Sequence, residues 1–293
     1  MYKEIAANKR RTIVIMIAFL GVMAGLAWLF GRVFFTPTIT YYVLAGATIY
    51  AVISYFTADK IALAVNGAQE VDKASAPRLY RIVENIAITD GLPTPKVYIM
   101  DDPAPNAFAT GRDPQHSVVC ATSGLLDIMS DTELEGVIAH EMGHVKNYDI
   151  RVMMIAFAMV TAISLLADIV RHYLWFGGGR RDDRRDDSGS VLMLIGLVAA
   201  IIAPVVALLL QLAISRRREY LADATGALTT RYPEGLASAL EKIRDRGSVL
   251  RRQNTATAHL FFTNPLSAKN FAAAFSTHPP IEDRINKLRE MKL

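Results

Sequence analysis

Four long apolar runs constrain what this chain can fold into more than any other feature of its sequence. A helix that spans a bilayer needs about 20 predominantly apolar residues, and each run comes close to that length or exceeds it. Buried core helices of a soluble protein are the alternative, but four of them in 293 residues would be unusual. We therefore predict a multi-pass membrane protein with spans at 13–30, 38–56, 152–175 and 191–214.

Basic residues near the first run predict the orientation of the chain. Lys3, Lys9, Arg10 and Arg11 precede this run, and the short connection at 31–37 carries no comparable charge. Basic flanks remain in the cytoplasm, so we place the N-terminus there, and four spans return the C-terminus to the same side. The first run lacks a clear cleavage site, which argues for a retained anchor rather than a signal peptide.

The net charge of +4 also indicates a membrane partner. Much of the basic excess flanks the apolar runs, where anionic lipid headgroups attract it, so we predict a lipid bilayer and no nucleic acid. The single cysteine, Cys120, excludes intrachain disulfides and a cysteine-based metal cage.

The two segments outside the apolar runs, 57–151 and 215–293, are predicted to form one cytoplasmic catalytic domain. Neither segment is self-sufficient, so we expect 152–214 to be inserted between them as a membrane hairpin, with 1–56 as an N-terminal membrane hairpin. The expected fold class is α+β and predominantly helical. Periodicity and turn residues predict strands at 96–100 and 117–121, and helices at 76–89, at 215–228, from 233 and after 280.

The sequence HEMGH at 140–144 predicts a metal site. On a helix, His140 and His144 are four residues apart and share a face, so both imidazoles can reach one metal ion with Glu141 beside it. Ser130 and Glu133 form a capping box ahead of the motif, which favours a helix here. The alternative is a solvated helix with two unrelated histidines.

A second acidic pattern follows the last apolar run. Glu219 and Asp223 lie four residues apart on the helix predicted from residue 215, so they share a face. One acid can bind the metal while the other hydrogen-bonds a liganding histidine. His259 and His278 are further candidates for the third ligand, and a solvated acid pair is the alternative reading of this pattern.

Taken in order, these motifs resemble the HtpX family of bacterial membrane zinc endopeptidases, relatives of the CAAX-prenyl and Oma-type metalloproteases. The resemblance covers most of the chain, including NAFATG at 106–111, SRRREYLAD at 215–223 and STHPPIEDR at 276–284. The charged loop RRDDRRDD at 180–187 has no counterpart in it. The resemblance implies a zincin-like (gluzincin) catalytic domain in the bacterial cytoplasmic (inner) membrane.

The resemblance also implies roles for individual residues. His140, His144 and Glu219 would bind one zinc ion per chain, and Asp223 would orient His140. Glu141 would be the general base for the attacking water, whose pKa zinc lowers.

Further roles concern the oxyanion and the substrate. His278 and Arg284 would stabilise the oxyanion, although His278 is also placed to enter a helix. An extended substrate would add as a strand beside an edge strand at 117–121. The substrate-binding residues implied are Asn106, Ala107, Phe108 and Ala109, for which an ordinary turn is the alternative.

Backbone recognition of this kind suits a protease that cleaves misfolded or unassembled membrane and membrane-proximal polypeptides in quality control and the stress response. Further copies of the chain or other membrane quality-control proteases are the expected partners. Processing of CAAX-type prenylated proteins is an alternative, but four spans would leave few helices to enclose the broad intramembrane chamber of such enzymes. A non-catalytic membrane adaptor would usually lack Glu141, and a transporter would carry more ionisable residues in its spans.

Overall fold

The computed structural model describes residues 2–33, 38–176, 216–251, 257–264 and 279–291. This part of the chain is mostly helical, as the sequence predicts, and it contains a small four-stranded sheet, of which the strands at 96–100 and 117–121 were predicted. The predicted fourth span at 191–214, the loop at 180–187 and His278 lie outside the described residues.

Three long helices carry the first three apolar runs. They are α1 (Tyr2–Val33), α2 (Ile39–Asn66) and α6 (Asp149–Phe176). Among the described residues, one helical segment, Leu44–Asn66, is long and apolar enough to cross a membrane. The multi-pass arrangement and its orientation stay predictions.

The second apolar run continues further than its predicted end at residue 56. Helix α2 extends to Asn66 because Ala58, Ala62 and Leu63 prolong its buried stripe at helical spacing. This extension was not predicted, because the buried stripe is narrow and charged residues surround it.

The sheet has the strand order β1-β2-β4-β3. Strands β2 and β4 pair in parallel, whereas β1 with β2 and β3 with β4 are antiparallel. The strands are β1 (Ala68–Val71), β2 (Lys96–Met100), β3 (Ala107–Gly111) and β4 (Ser117–Thr122).

The expectation that 117–121 forms an edge strand is wrong. Strand β4 lies inside the sheet, and β3 is the edge strand beside it. A turn through Gly111, whose φ is 131°, and the short helical turn Pro114–His116 fold β3 back along β4. No strand was predicted for the residues of β3, so the edge was placed one strand too far inward.

Helix α5 (Asp131–Lys146) lies at the centre of the domain that carries the motifs. It packs against α3 (Pro77–Asp90), α7 (Arg216–Thr230), α8 (Pro233–Arg246) and β3, while α9 (Ile281–Glu290) packs against α7 and α8. The short helix α4 (Ser123–Ile128) connects β4 to α5.

Two glycines allow the close approach of helices around α5. A Cβ at Gly226 of α7 would lie 2.9 Å from the His140 backbone nitrogen, and a Cβ at Gly136 would lie 2.7 Å from the Leu236 nitrogen of α8. At Gly143, within the motif, a Cβ would meet its nearest neighbours at 3.4 Å, at the edge of ordinary contact.

The chain divides into two compact units. Unit 1 holds the described residues within Met1–Thr12, Phe56–Met154 and Ile214–Leu293, and unit 2 holds those within Ile13–Tyr55 and Ile155–Ala213. Within unit 2, the rings of Phe19 and Tyr50 lie 6.4 Å apart, and the Tyr50 hydroxyl donates to the Ala158 carbonyl at 2.9 Å. Every residue of the site described next belongs to unit 1.

Candidate active site

Helix α5 begins as the sequence predicts. Ser130 Oγ accepts a hydrogen bond from the Glu133 backbone N–H, and the Glu133 carboxylate accepts one from the Ser130 N–H at 2.7 Å, so the capping box is confirmed. The helix continues to Lys146, which places the motif in its last two turns. His140 and His144 are 0% and 5% exposed, so the alternative of a solvated helix is wrong.

The two histidines and Glu219 bring three ligand atoms together. The Nε2 atoms of His140 and His144 lie 3.1 Å apart. Glu219, in the first turn of α7, places Oε2 3.7 Å from His140 Nε2 and Oε1 3.7 Å from His144 Nε2. These side chains could hold a metal ion.

The spacing of these donor atoms suits zinc. Zinc bonds to imidazole nitrogen and carboxylate oxygen at about 2.0–2.1 Å, so the donors of a tetrahedral site are about 3.3 Å apart. The observed separations of 3.1 and 3.7 Å lie on either side of that value. Two imidazoles and one carboxylate also form a donor set typical of catalytic zinc, which keeps a further position open.

Asp223 and Arg284 form an ion pair beside Nδ1 of the His140 ring. Asp223 Oδ1 lies 2.9 Å from His140 Nδ1, and Arg284 of α9 donates to the same carboxylate through Nε at 2.9 Å and Nη2 at 2.7 Å. Burial alone would raise the pKa of Asp223, but Arg284 holds it well below its usual range. Because an ionised carboxylate can only accept, His140 Nδ1 donates to it and Nε2 keeps its lone pair.

Asp149 supports His144 in a similar way, and the sequence analysis missed it. Its Oδ2 atom lies 3.1 Å from His144 Nδ1, and the residue is 1% exposed. Asp149 begins helix α6, and only two residues separate it from the end of α5, so the tight turn brings it back to His144. An acidic residue at the start of the helix that follows the motif was the available signal.

Glu141, between the two histidines, is 2% exposed. Burial raises its pKa to about 7; His144 and the Ala109 backbone N–H lower it, whereas Glu219 raises it. A carboxylate with a pKa near neutrality can accept and release a proton at physiological pH.

The two histidines differ in their pKa although their ring centroids are only 4.8 Å apart. Burial lowers the pKa of His140 to about 4, and the charge of Arg284 adds to that effect. Burial also acts to lower the pKa of His144, but the hydrogen bond with Asp149 and the charge of Glu219 outweigh it and raise the pKa to about 9. Asp223 acts to raise the pKa of His140, but burial outweighs it there, whereas Asp149, Glu219 and Glu141 together outweigh burial at His144.

The residues predicted to bind substrate lie at and before edge strand β3. The Asn106 side chain exchanges hydrogen bonds of 3.0 and 3.2 Å with the Thr263 backbone, and the Ala107 carbonyl accepts from the Phe262 N–H at 2.8 Å. Phe108 packs edge-on against Phe261, with ring centroids 4.9 Å apart. The chain itself therefore covers this part of the edge, while the N–H of Ala109 faces Glu141.

Three further residues were predicted as candidates for the site. Arg284 is 1% exposed, and its guanidinium contacts Asp223, the Phe262 carbonyl and His140, where Nη2 lies 3.4 Å from Nδ1. His259 lies with Nε2 3.2 Å from the Met153 carbonyl and is outside the ligand group. His278 lies outside the described residues.

Comparisons with known proteins are consistent along the whole chain. The model for Peptidase family M48 matches residues 73–292. A "Protease HtpX homolog" from Tropheryma whipplei (strain Twist) is 50% identical over 291 residues, 99% of this chain and 98% of the relative. Another from Dictyoglomus turgidum is 46% identical over 303 residues, 99% and 94% of the two chains.

A solved structure gives an independent comparison of the fold. The crystal structure of S. mikatae Ste24p superposes with a TM-score of 0.51 at 19% sequence identity. The match covers 98% of this chain and 67% of that one. At this level of identity, the likeness concerns the fold alone.

Proposed function

The chain belongs to the HtpX proteases of peptidase family M48 and is a membrane-associated metalloprotease, and we propose that it is a zinc-dependent endopeptidase of the bacterial cytoplasmic membrane. The observation that carries the proposal is the convergence of His140, His144 and Glu219 beside the buried carboxyl group of Glu141. Relatives named as HtpX proteases match almost the full chain, so processing of prenylated proteins is not favoured.

In this proposal, His140 and His144 hold the metal through Nε2 and Glu219 holds it through its carboxylate. When bound there, zinc would polarise the scissile carbonyl and lower the pKa of the attacking water towards about 7. Asp223 and Arg284 fix the ring of His140, so Arg284 acts as a positioning residue through Asp223. An oxyanion role for His278 stays a prediction.

Glu141 accepts the proton of the attacking water and later passes it to the leaving amine. Its pKa of about 7 suits both steps, because the acid and base forms are then similarly populated near neutral pH. The N–H of Ala109 donates to this carboxylate, which ties the base to edge strand β3.

We expect an extended polypeptide to bind along β3 beyond the part that Phe261–Thr263 covers. Main-chain pairing at a strand edge tolerates many side chains, which suits misfolded or unassembled membrane proteins as substrates. The predicted orientation places this site, and both termini, on the cytoplasmic side of the membrane.

The test is Glu141→Gln in the purified full-length protein, with zinc content and cleavage of an unfolded casein-type chain as readouts. We expect zinc to be retained and cleavage to fall by about 100-fold to 10,000-fold, the usual contribution of a general base. Glu135→Gln, on the same helix and partly exposed, is the matched control. Cleavage by Glu141→Gln at the wild-type rate would overturn the mechanism.

A further inference from the structure

A residue near the N-terminus reaches the outer side of the metal-ligand group. Asn8 of α1 is 1% exposed, and its Nδ2 donates to Asp149 Oδ1 at 2.7 Å and to the Asn147 carbonyl at 2.8 Å. The other Asp149 oxygen, Oδ2, faces His144 Nδ1 at 3.1 Å. A continuous path of hydrogen bonds therefore connects the N-terminal helix to a candidate metal ligand.

Only a carboxylate serves both neighbours of Asp149. The Asn8 amide nitrogen and the protonated His144 Nδ1 are both donors, so the residue between them must accept on both sides. An asparagine at 149 would turn its NH₂ group towards one of these donors and lose that hydrogen bond. The chemistry of the contacts thus explains an acid at this position.

Other contacts fix Asp149 and Asn8 in place. Arg11 Nη1 donates to Asn8 Oδ1 at 2.9 Å, which orients the amide with its nitrogen towards Asp149. Arg218, next to the ligand Glu219, places Nη1 3.6 Å from Asp149 Oδ1. Asp149 therefore has contacts with α1, α5 and α7 at once.

The turn before Asp149 is held by the same N-terminal helix. Tyr148 adopts a φ of 62°, a conformation that a non-glycine residue rarely takes, and a residue held this way depends on its surroundings. Lys9 Nζ lies 4.7 Å from the centroid of the Tyr148 ring, and Arg151 lies 4.9 Å from it. The segment Asn8–Lys9 thus contacts both the turn and the carboxylate that it presents.

We propose that Asn8 and Asp149 form a positioning relay that fixes the His144 ring for the metal, which makes the N-terminal helix part of the metal centre. The proposal rests on the proposed function, because it assumes that His144 binds zinc. It assigns Asn8 a role beyond anchoring: the correct docking of residues 2–12 is needed for full metal affinity.

The test measures the zinc dissociation constant of full-length variants in detergent by competition with a chromophoric chelator. Asp149→Asn should weaken zinc binding by about 10-fold to 100-fold, the usual effect of losing a partner behind a liganding histidine. Asn8→Ala should weaken it less, by about threefold to tenfold, because Asn8 acts through Asp149. Asp127→Asn and Asn85→Ala, both at exposed positions, are the matched controls.

A swapped pair separates the relay from general stability. In Asn8→Asp combined with Asp149→Asn, the new amide can donate to the new carboxylate and still accept from His144 Nδ1–H, and only the bond to the Asn147 carbonyl is lost. We expect this double variant to bind zinc more tightly than Asp149→Asn alone. A double variant no better than the single one would overturn the relay, as would wild-type affinity in Asp149→Asn and Asn8→Ala.

Two further measurements keep the outcomes distinct. Thermal unfolding of each metal-free variant shows whether it is folded, and if Asp149→Asn fails to fold, Asn8→Ala carries the test against Asn85→Ala. Absence of zinc binding by the wild-type protein would contradict the proposed function itself. Normal zinc binding by every relay variant would contradict the relay alone.

Discussion

Helix α5 carries a glutamate towards each end, and the surrounding residues shift the pKa values of the two in opposite directions. At the start, Glu133 accepts from Ser130 and from Lys242 Nζ at 2.6 Å, so its pKa falls although burial acts to raise it. About two turns later, Glu141 has Glu219 as a neighbour, and burial raises its pKa to about 7. The same residue type on one helix is thus a structural anion at one end and the proposed proton acceptor at the other.

This difference shows where stability and chemistry are encoded. The partners of Glu133 include Ser130, three residues away, and the contact stabilises the helix locally. The polar groups at the other end depend on Asp223, Arg284 and Asp149, which belong to α7, α9 and α6. Changes at the first end should therefore alter stability slightly, and changes at the second should alter metal binding strongly.

Glu219→Gln should have the largest effect, at the end of α5 that carries the HEMGH motif. Structural zinc sites with four protein ligands bind with about 10–16 kcal/mol, or about 2.5–4 kcal/mol for each ligand, so we expect zinc affinity to fall by about 100-fold to 1,000-fold. Cleavage at limiting zinc should fall in parallel, as measured by zinc titration of the apoprotein. Exposed Glu290→Gln is the control, and unchanged affinity in Glu219→Gln would remove Glu219 from the ligand set.

Asp223→Asn should have the next largest effect, because it weakens two contacts. Loss of the charge behind His140 should reduce zinc affinity by about 10-fold to 100-fold. It also leaves Arg284 buried without its anionic partner, which should lower the free energy of unfolding by about 3 kcal/mol.

A double variant distinguishes these two effects of Asp223. Combining Asp223→Asn with Arg284→Met removes the buried cation, so thermal stability should recover while zinc affinity should not. If both recover together, the weakened binding of Asp223→Asn reflects global instability rather than the orientation of His140.

Gly226→Ala should disturb the packing of α7 against the end of α5 that carries the HEMGH motif. The added Cβ would lie 2.9 Å from the His140 backbone nitrogen, so α5 and α7 must move apart, at a cost of about 1–3 kcal/mol in unfolding free energy. Gly143→Ala is the matched control, because its Cβ would meet neighbours at 3.4 Å. Equal melting temperatures for the two variants would show that the close approach at Gly226 is dispensable.

The part of the fold that depends on local signals could be read from the sequence. The capping box at Ser130, the start of α8 at Pro233 and strand β2 all follow from patterns within a few residues, and the structure confirms them. The spacing also predicts that His140 shares a helix face with His144 and that Glu219 shares one with Asp223, whereas the choice of Glu219 as third ligand is what the family resemblance implies. Such patterns fix which side chains lie on one face, whatever the fold around them.

The features that could not be predicted from the sequence depend on contacts between residues that are distant in the chain. Asp149 contacts His144 only because a two-residue turn reverses the chain, and Asn8 reaches Asp149 across 141 positions. Strand β3 is short, and its position at the edge depends on which strand pairs with β4. No periodicity records such pairings, and the contact of Arg284 with Asp223, 61 positions apart, is of the same kind.

Glu133→Gln should produce the smallest effect, at the structural end of α5. Glutamine can still accept from the Ser130 N–H, so the change mainly removes the ion pair with Lys242, worth about 0.5–1 kcal/mol at a partly exposed site.

The folded pKa of Glu133 is below its usual value, so the charge stabilises the fold above pH of about 4.5. As pH falls through the folded pKa, the carboxylate becomes protonated and this contribution is lost. Thermal unfolding from pH 7 downwards should therefore show wild type and variant converging in acid, with zinc affinity unchanged at pH 7. Lys242→Met should show the same loss of stability at neutral pH, and a change in zinc affinity in either variant would contradict the separation of the two ends.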